Sequence, residues 1–522
     1  MTLGNTPVLI LKEGSSVKKE AFEQNVNAID SVAELIKTTF GPKGLEKMLF
    51  DRVGGSTAVS NDGAKILEEL DVEHPAAKMV IELAKAQREN LGDGTTRSVL
   101  LTAALLNTAL ELNKSGLHQS MVAQGFLKAK NQALKILTEL SQEISVDDNE
   151  LLRKVALTAL KGKNIGRNHE RFAEMAVNSI LQIKELRGDF THIDLDDIQI
   201  VKKMGADMNA TEFVNGLVID KEVLHPMMPK VIKDAKIAIL NSALEFQKTD
   251  FDAQIRIKDP DQIAGFKDEE AKILKKKVDL IMDAGANVVF CQKGIDEGAQ
   301  RYLAQNNIFA VRRVKKSDIG RIARATGGNV ITDIKLMTAE DLGAADKVSE
   351  AKYGQDRLIF VEGCSNAKSV SILIRGFKYA EEEAKAALET ALNVTRVAVL
   401  DPLIIPGGGA IFIELRDRLE TFAKTLPSKE QLVVEGYAAA IETLFNCLIE
   451  NAGGDPMDLL PNVRAKHKEG GITYGVDLDT FELTDMLAEG VVEPTKITSQ
   501  FLAAGSELAL ILLRVDQVIN SK

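Results

Sequence analysis

The hydrophobic period of this chain changes twice, and that change limits what it can fold into. Near the start, Val26, Ile29, Val32, Ala33 and Ile36 recur three or four residues apart and mark one face of a helix running into Gly41. Ala76, Met79, Val80, Leu83 and Ala84 mark a second helix, and a third begins at Thr95 and carries Val99, Leu100 and Leu101. Between the first two, short apolar stretches at 48–50 and 57–59 read as a hairpin. From Ile237 the texture differs. Short apolar runs at 237–240, 288–290 and 309–311 suit buried strands, and helical patterns at 269–283 and 295–305 separate them. Helical periodicity returns at 381–400 and 408–453. The outer thirds resemble each other and the middle does not. This predicts an α/β domain inserted into a helical one, with the chain passing twice through whatever connects them. No internal repeat of about 20–50 residues is visible, which argues against a solenoid.

Composition narrows the function classes. At 522 residues the chain is too long for one core, so roughly two to four domains are expected. A net charge of −11, 5% aromatics and no Trp argue against nucleic acid as the main partner. Basic residues concentrate only at 275–277 and 312–316; the second cluster suits a solvated helix end or an anion contact. The longest apolar runs, such as 508–513, are too short to cross a bilayer. Residues 1–12 lack a basic region followed by an apolar stretch, so no membrane and a cytoplasmic location are expected. Cys291, Cys364 and Cys447 are far apart, without Cys-x-x-Cys, which suits buried thiols in a reducing compartment. The histidines form no His-x-x-x-His or Glu-x-x-His pair, so a zinc site is not expected.

The chemistry sits in glycine turns. Gly41-Pro42-Lys43-Gly44 closes a helix, and its glycines let backbone N–H groups approach a phosphate, or simply form a C-cap and turn. Asn61-Asp62-Gly63 lies between a strand and a helix; it is ordinary turn chemistry, or its Asp holds Mg²⁺ or orients a water. Gly92-Asp93-Gly94-Thr95-Thr96 opens a helix whose N-terminus presents free N–H groups to an anion. Thr95 and Thr96 add hydroxyl donors and Asp93 a hard oxygen for Mg²⁺, while a plain N-cap is the alternative. Downstream, Pro406-Gly407-Gly408-Gly409-Ala410 lets a backbone pass close to a ring or sugar, or makes a tight interdomain turn. Asp477, in Thr473-Tyr474-Gly475-Val476-Asp477, can accept from a ribose or base. No P-loop, dinucleotide fingerprint or Gly-x-Ser-x-Gly elbow occurs.

Taken in order, these turns become specific. Thr38-Thr39-Phe40-Gly41-Pro42-Lys43-Gly44, Asn61-Asp62-Gly63-Ala64, Glu73-His74-Pro75-Ala76-Ala77-Lys78, the 92–96 turn, the 406–410 turn and Arg514-Val515-Asp516 follow one another as in group II chaperonins. The chain resembles that family, the archaeal thermosome and the eukaryotic cytosolic chaperonin, over essentially its whole length, with archaeal subunits the nearer likeness. The resemblance implies a multidomain α and α/β chaperonin fold. A helical equatorial ATP-binding domain would take 1–145 and 400–522, and an intermediate hinge 146–213 and 367–399. An inserted α/β apical domain would take 214–366, with a helical lid protrusion near 245–280. It implies an ATPase coupled to protein folding, with ATP and Mg²⁺ as cofactors. Unfolded proteins would be clients, and identical or paralogous subunits would form two stacked rings of eight or nine.

The resemblance also assigns roles. Gly41, Pro42 and Gly44 resemble the phosphate-cradling turn, and Gly94, Thr95 and Thr96 the phosphate-binding helix start. Asp93 resembles the Mg²⁺ ligand, and Asp62, beside Gly63, the acidic residue near the γ-phosphate and attacking water. Lys163 resembles the γ-phosphate sensor, Gly408 and Gly409 the adenosine contact, and Asp477 or Glu493 the base and ribose contact. One departure stands out. The family has Asp before Ala-Leu in the helix ahead of the Gly-Gly-Gly turn, and here that position is Thr390, in Glu389-Thr390-Ala391-Leu392. A threonine hydroxyl can position water but cannot take its proton near neutral pH. Adjacent Glu389 points about 100° away on a helix. Binding with slow hydrolysis is therefore expected; the alternative is a hydrolysis-deficient regulatory or structural subunit of a mixed ring. Arg97, where a small or polar residue is usual, either pairs with a neighbouring acid or contacts an adjacent subunit.

Overall fold

Apolar residues three and four apart near the N-terminus do form helices in the computed structural model of the chain. It describes residues 18–50, 55, 57–188, 190–245, 260–354, 356–364 and 369–518. Two units result, one from Met1–Val177 with Ala386–Lys522 and the other from Asn178–Lys385. The middle of the chain is thus inserted into a unit made of its two ends, as the texture change predicts.

The first unit is a helical core. Helices Lys18–Lys37, Pro75–Leu91, Gln119–Leu140, Ser428–Ala452 and Thr495–Leu512 all pack against Thr95–Lys114. That central helix buries residues around its whole circumference, including every residue from Thr95 to Ala103. Burial on all sides explains why its sequence shows no narrow apolar stripe. Among the described residues, one helix, Ser428–Ala452, is long and apolar enough to span a bilayer. This corrects the reading that no stretch has that length. Glu435 and Glu442 interrupt the apolar run, and Val433, Tyr437, Ile441 and Phe445 are buried against neighbouring helices, as a core helix requires. The hairpin forms from antiparallel Lys47–Phe50 and Thr57–Ser60. A three-stranded sheet places Leu403–Pro406 between Val492–Pro494 and Gln142–Glu143, just ahead of the glycine triplet.

The second unit is built on a seven-stranded sheet. Val231–Leu240, Val288–Cys291, Phe309–Val311 and Val330–Ile331 pair in parallel, connected by helices Pro260–Asp283, Glu297–Gln305 and Lys316–Thr326. Gly343–Tyr353, Asp356–Cys364 and Gly216–Ile219 extend it antiparallel, so the sheet is mixed. In Gly343–Tyr353, Asp346, Lys347, Glu350 and Lys352 break up the apolar pattern, whereas Asp356–Cys364 and Gly216–Ile219 carry short apolar runs that the sequence reading did not pick out. A second sheet joins Ile198–Met204, Val370–Gly376 and Glu212–Val214. Of the expected lid protrusion near 245–280, residues 246–259 lie outside the described residues; from Pro260 the chain is helical to Asp283. The segments expected to form a hinge are divided, 146–177 and 386–399 in the first unit and 178–213 and 367–385 in the second.

One buried polar contact ties the late helices of the first unit together. The Tyr437 hydroxyl lies 2.7 Å from Ser506 Oγ, and Ser506 itself donates to Leu502 O, so Tyr437 is the donor. Both residues are fully buried. Tyr437→Phe leaves the ring packing intact and removes this bond. It should lower stability by about 1 kcal/mol, read as a fall in the denaturation midpoint at unchanged m-value.

Candidate functional site

The helix Lys18–Lys37 ends in a turn held from behind. Asn451 Nδ2 donates to Lys37 O and Phe40 O, both at 2.8 Å, and Gly41 follows with φ +91°. Gly44 closes the turn by donating to Gly41 O at 3.0 Å, and a Cβ on Gly44 would run into Thr39 O. The segment carrying Gly162 lies against this turn, since a Cβ there would sit 3.3 Å from Gly41 O. Asn61 Nδ2 donates to Gly162 O. These contacts bring three glycine-bearing segments together.

Asp62 is the N-cap of helix Gly63–Glu68, its Oδ1 accepting from Lys65 N at 3.1 Å. Its other oxygen faces two cations, Lys163 Nζ at 3.8 Å and Arg88 Nε at 3.9 Å, with Asp62 and Lys163 both largely buried. One oxygen thus serves the cap, and the other faces Lys163 and Arg88. Gly63 touches the next motif, for a Cβ on it would lie 2.5 Å from Thr96 Oγ1.

The 92–96 turn differs from a plain cap. The N-cap of Thr95–Lys114 is Gly94, with φ +81° and no side-chain cap bond, so the helix start presents its N–H groups uncapped. Asp93 Oδ1 accepts from Gly94 N at 2.6 Å, which leaves Oδ2 directed elsewhere. A Cβ on Gly92 would collide with Asn393, one turn beyond Thr390 on helix Lys378–Leu400. Thr390 is 6% exposed.

Arg97 settles into this site. Its Nη1 donates to Glu493 Oε2 at 2.6 Å, its Nη2 lies 3.4 Å from Asp93 Oδ2, and its guanidinium sits 5.1 Å from the Phe501 ring centroid. It is 8% exposed. Burial works against its charge, but Glu493 and Asp93 outweigh burial and hold its pKa above the ordinary value. Of the two readings of Arg97, pairing with neighbouring acids is the one the structure contains. Glu493 also accepts from Thr498 Oγ1 at 2.8 Å, so both of its oxygens are engaged.

The glycine triplet completes the network. Glu493 pairs with Ile405 across the strand ladder, immediately ahead of Gly407–Gly409. Gly408 and Gly409 have φ of +58° and +78°; a Cβ on Gly408 would lie 2.5 Å from Met486 Sδ, and one on Gly409 2.6 Å from Phe445 Cδ2. Gly408 O accepts from Val476 N at 3.1 Å, which places Asp477 beside the triplet. Asp477 Oδ1 accepts from Asp479 N at 2.8 Å, a turn bond, and Asp479 pairs with Lys43 of the first turn. Gly41 and Gly409 both abut Leu448. Thus the candidate residues other than Thr390 belong to one connected set of contacts within the first unit; Thr390 lies on the helix whose Asn393 meets Gly92. The sequence reading missed Arg88, Asn393, Leu448, Asn451 and the Lys43–Asp479 pair. Only Asn393, three residues from Thr390, had a helical spacing that could have signalled it.

The TCP-1/cpn60 chaperonin family matches residues 32–522 of this sequence. The chain belongs to that family. It is 46% identical to a thermosome subunit beta of Sulfolobus acidocaldarius over 519 residues, 99% of this chain and 94% of the relative. A thermosome subunit alpha of Archaeoglobus fulgidus is 45% identical over 524 residues, covering 100% and 96%. A thermosome subunit of Methanopyrus kandleri is 46% identical over 518 residues, covering 99% and 95%. The group II chaperonin resemblance drawn from the motif order therefore holds along the chain, and the mixed helical and α/β architecture is that of a chaperonin.

The glycine triplet of this chaperonin offers a stability test. Gly409→Ala places a Cβ against Phe445 in a left-handed backbone conformation. It should cost about 1–3 kcal/mol, measured by chemical denaturation, and Gly453→Ala, left-handed but in open space, should cost less.

Proposed function

We propose that this chain is an ATP-driven protein-folding subunit of a double-ring chaperonin, binding ATP with Mg²⁺ at the network described above. The observation that carries this reading is the convergence of the 41–44, 61–63, 92–96, 161–163 and 406–410 segments around the uncapped start of helix Thr95–Lys114. Several glycines there have positive φ or stand where a Cβ would meet neighbouring protein atoms, so only glycine forms these turns. The donor set also fits. The helix start and Lys163 suit phosphate oxygens, and Asp93 suits a hard divalent cation. Among the described residues no group of three acidic, His or Cys side chains could hold a metal alone, so an ion at Asp93 would complete its shell with phosphate oxygens and water. Bound there, Mg²⁺ would neutralise charge on the phosphates.

In this reading the chain's residues divide the work by position. Gly41, Pro42, Gly44, Gly94, Thr95 and Thr96 bind phosphate through backbone and hydroxyl donors, and Gly63 gives Thr96 its room. Lys163 meets the terminal phosphate and is held near it by Asp62, whose outward oxygen also orients the attacking water. Gly408 and Gly409 admit the adenosine, with Asp477 and Glu493 at its edge. Thr390 stands at the position of the proton acceptor and lacks a carboxylate, so hydrolysis is slow. Closure of a substrate-binding domain follows from differential affinity for nucleotide states. Clients are unfolded proteins met by the second unit, the location is cytoplasmic, and the rings hold eight or nine subunits. A second reading, a hydrolysis-deficient subunit of a mixed ring, is favoured by the same Thr390; assembly only with a paralogue would support it.

Two measurements test the proposal. Single-particle imaging of the purified chain with and without a non-hydrolysable ATP analogue should show stacked rings and a nucleotide-dependent change; discrete monomers in both conditions would sink it. Thr390→Asp should raise phosphate release per site by about 10²–10⁴-fold at saturating ATP, and a robust rate left unchanged by the substitution would remove the slow-hydrolysis claim.

A further inference from the structure

Arg97 is a cation built into the wall of the proposed nucleotide site, and nothing in the function proposed above uses it. Its surroundings determine what it does. The guanidinium is almost completely buried and stacked near Phe501, so it cannot swing into solvent without losing that packing. It bridges Asp93, on the loop before the phosphate-facing helix, to Glu493, on the strand paired with the segment leading into the glycine triplet. One positive and two negative formal charges leave this cluster at −1. Without the guanidinium it would stand at −2.

The two oxygens of Asp93 are not equivalent. Oδ1 is bound to Gly94 N at 2.6 Å, so Oδ2 is the oxygen available to a divalent cation, and Oδ2 is the one 3.4 Å from Arg97. A metal ion at Asp93 must therefore share that oxygen with a fixed positive charge or displace it. A triphosphate arriving without metal, by contrast, meets a site whose carboxylates are already half-compensated. Both effects act in one direction: the cation's contribution to nucleotide binding shrinks.

We infer that Arg97 is a positioning residue that makes nucleotide binding at this site only weakly dependent on divalent cation, by holding Asp93 and Glu493 with its own charge. The inference rests on the nucleotide-site reading given above. It also gives Arg97 a role in keeping Glu493, fixed on its other side by Thr498, aligned with the glycine triplet.

The test is equilibrium binding of a non-hydrolysable ATP analogue to the full-length, assembled protein, in excess Mg²⁺ and in EDTA. For the natural chain the two affinities should differ by less than about ten-fold, and for Arg97→Ser by about a hundred-fold or more. Arg97→Lys retains the charge without the planar fork and should stay closer to the natural chain than to Arg97→Ser. Removing a buried guanidinium beside Glu493 can cost folding, so the natural chain is itself decisive: a Mg²⁺ dependence above about a hundred-fold overturns the inference without any variant. Equal dependence in the natural chain and Arg97→Ser also overturns it, with the nucleotide site left standing. Absence of analogue binding to the natural chain in either buffer overturns the nucleotide reading, and this inference with it.

Discussion

The candidate site depends on the burial of one helix. The first turns of Thr95–Lys114 are enclosed on every side by helices drawn from both ends of the chain, so they cannot shift without moving the core. A close-packed interior resists such motion. The uncapped N-terminus of this helix is therefore a fixed point, and the other motifs are arranged about it by contacts to its first residues or to helices it packs against. Gly63 abuts Thr96, Gly94 abuts Ile497 at the start of Thr495–Leu512, and Arg97 reaches Glu493. Thr95–Lys114 shows no narrow apolar stripe because its first turns are buried on all sides.

Charge in the site is distributed so that each carboxylate does two things. Asp62 caps a helix with one oxygen and faces Lys163 and Arg88 with the other. Asp93 binds its own loop with one oxygen and faces Arg97 with the other. Glu493 accepts from Thr498 and from Arg97. Capping and function were alternatives in the sequence because a cap and a ligand demand the same residue types. In space they are compatible, since a carboxylate has two oxygens and a helix start needs only one.

This explains how far the sequence could be read. Periodicity located Lys18–Lys37, Pro75–Leu91, Thr95–Lys114, Lys378–Leu400 and the stretch that divides into Ala410–Ala423 and Ser428–Ala452, and three of the four parallel strands of the second unit's sheet; it did not locate Gln119–Leu140, Asn149–Leu160, His169–Ile183, Pro456–Lys468 or Thr495–Leu512. It did not show the antiparallel extension, where charges break up the pattern of Gly343–Tyr353 and the apolar runs of Gly216–Ile219 and Asp356–Cys364 are no more than four residues long. Motif order named the glycine turns, whose φ values above zero require Gly at 41, 94, 408 and 409. It did not show the residues behind those turns, because Leu448 and Asn451 look like ordinary positions on a core helix. Nor did it settle Arg97. A partner almost 400 positions away leaves no local trace.

The insertion of the second unit has a consequence for synthesis. The helices that enclose Thr95–Lys114 include Ser428–Ala452 and Thr495–Leu512, and these follow about 200 residues of intervening chain. At about 5–20 residues per second, the ribosome needs roughly 10–40 seconds to make the intervening chain alone, before either helix begins. For that interval the N-terminal helices stand outside the exit tunnel with their core faces bare, while the inserted sheet can already close on itself. A chain of this family is thus, during its own birth, an exposed hydrophobic surface waiting for its other half.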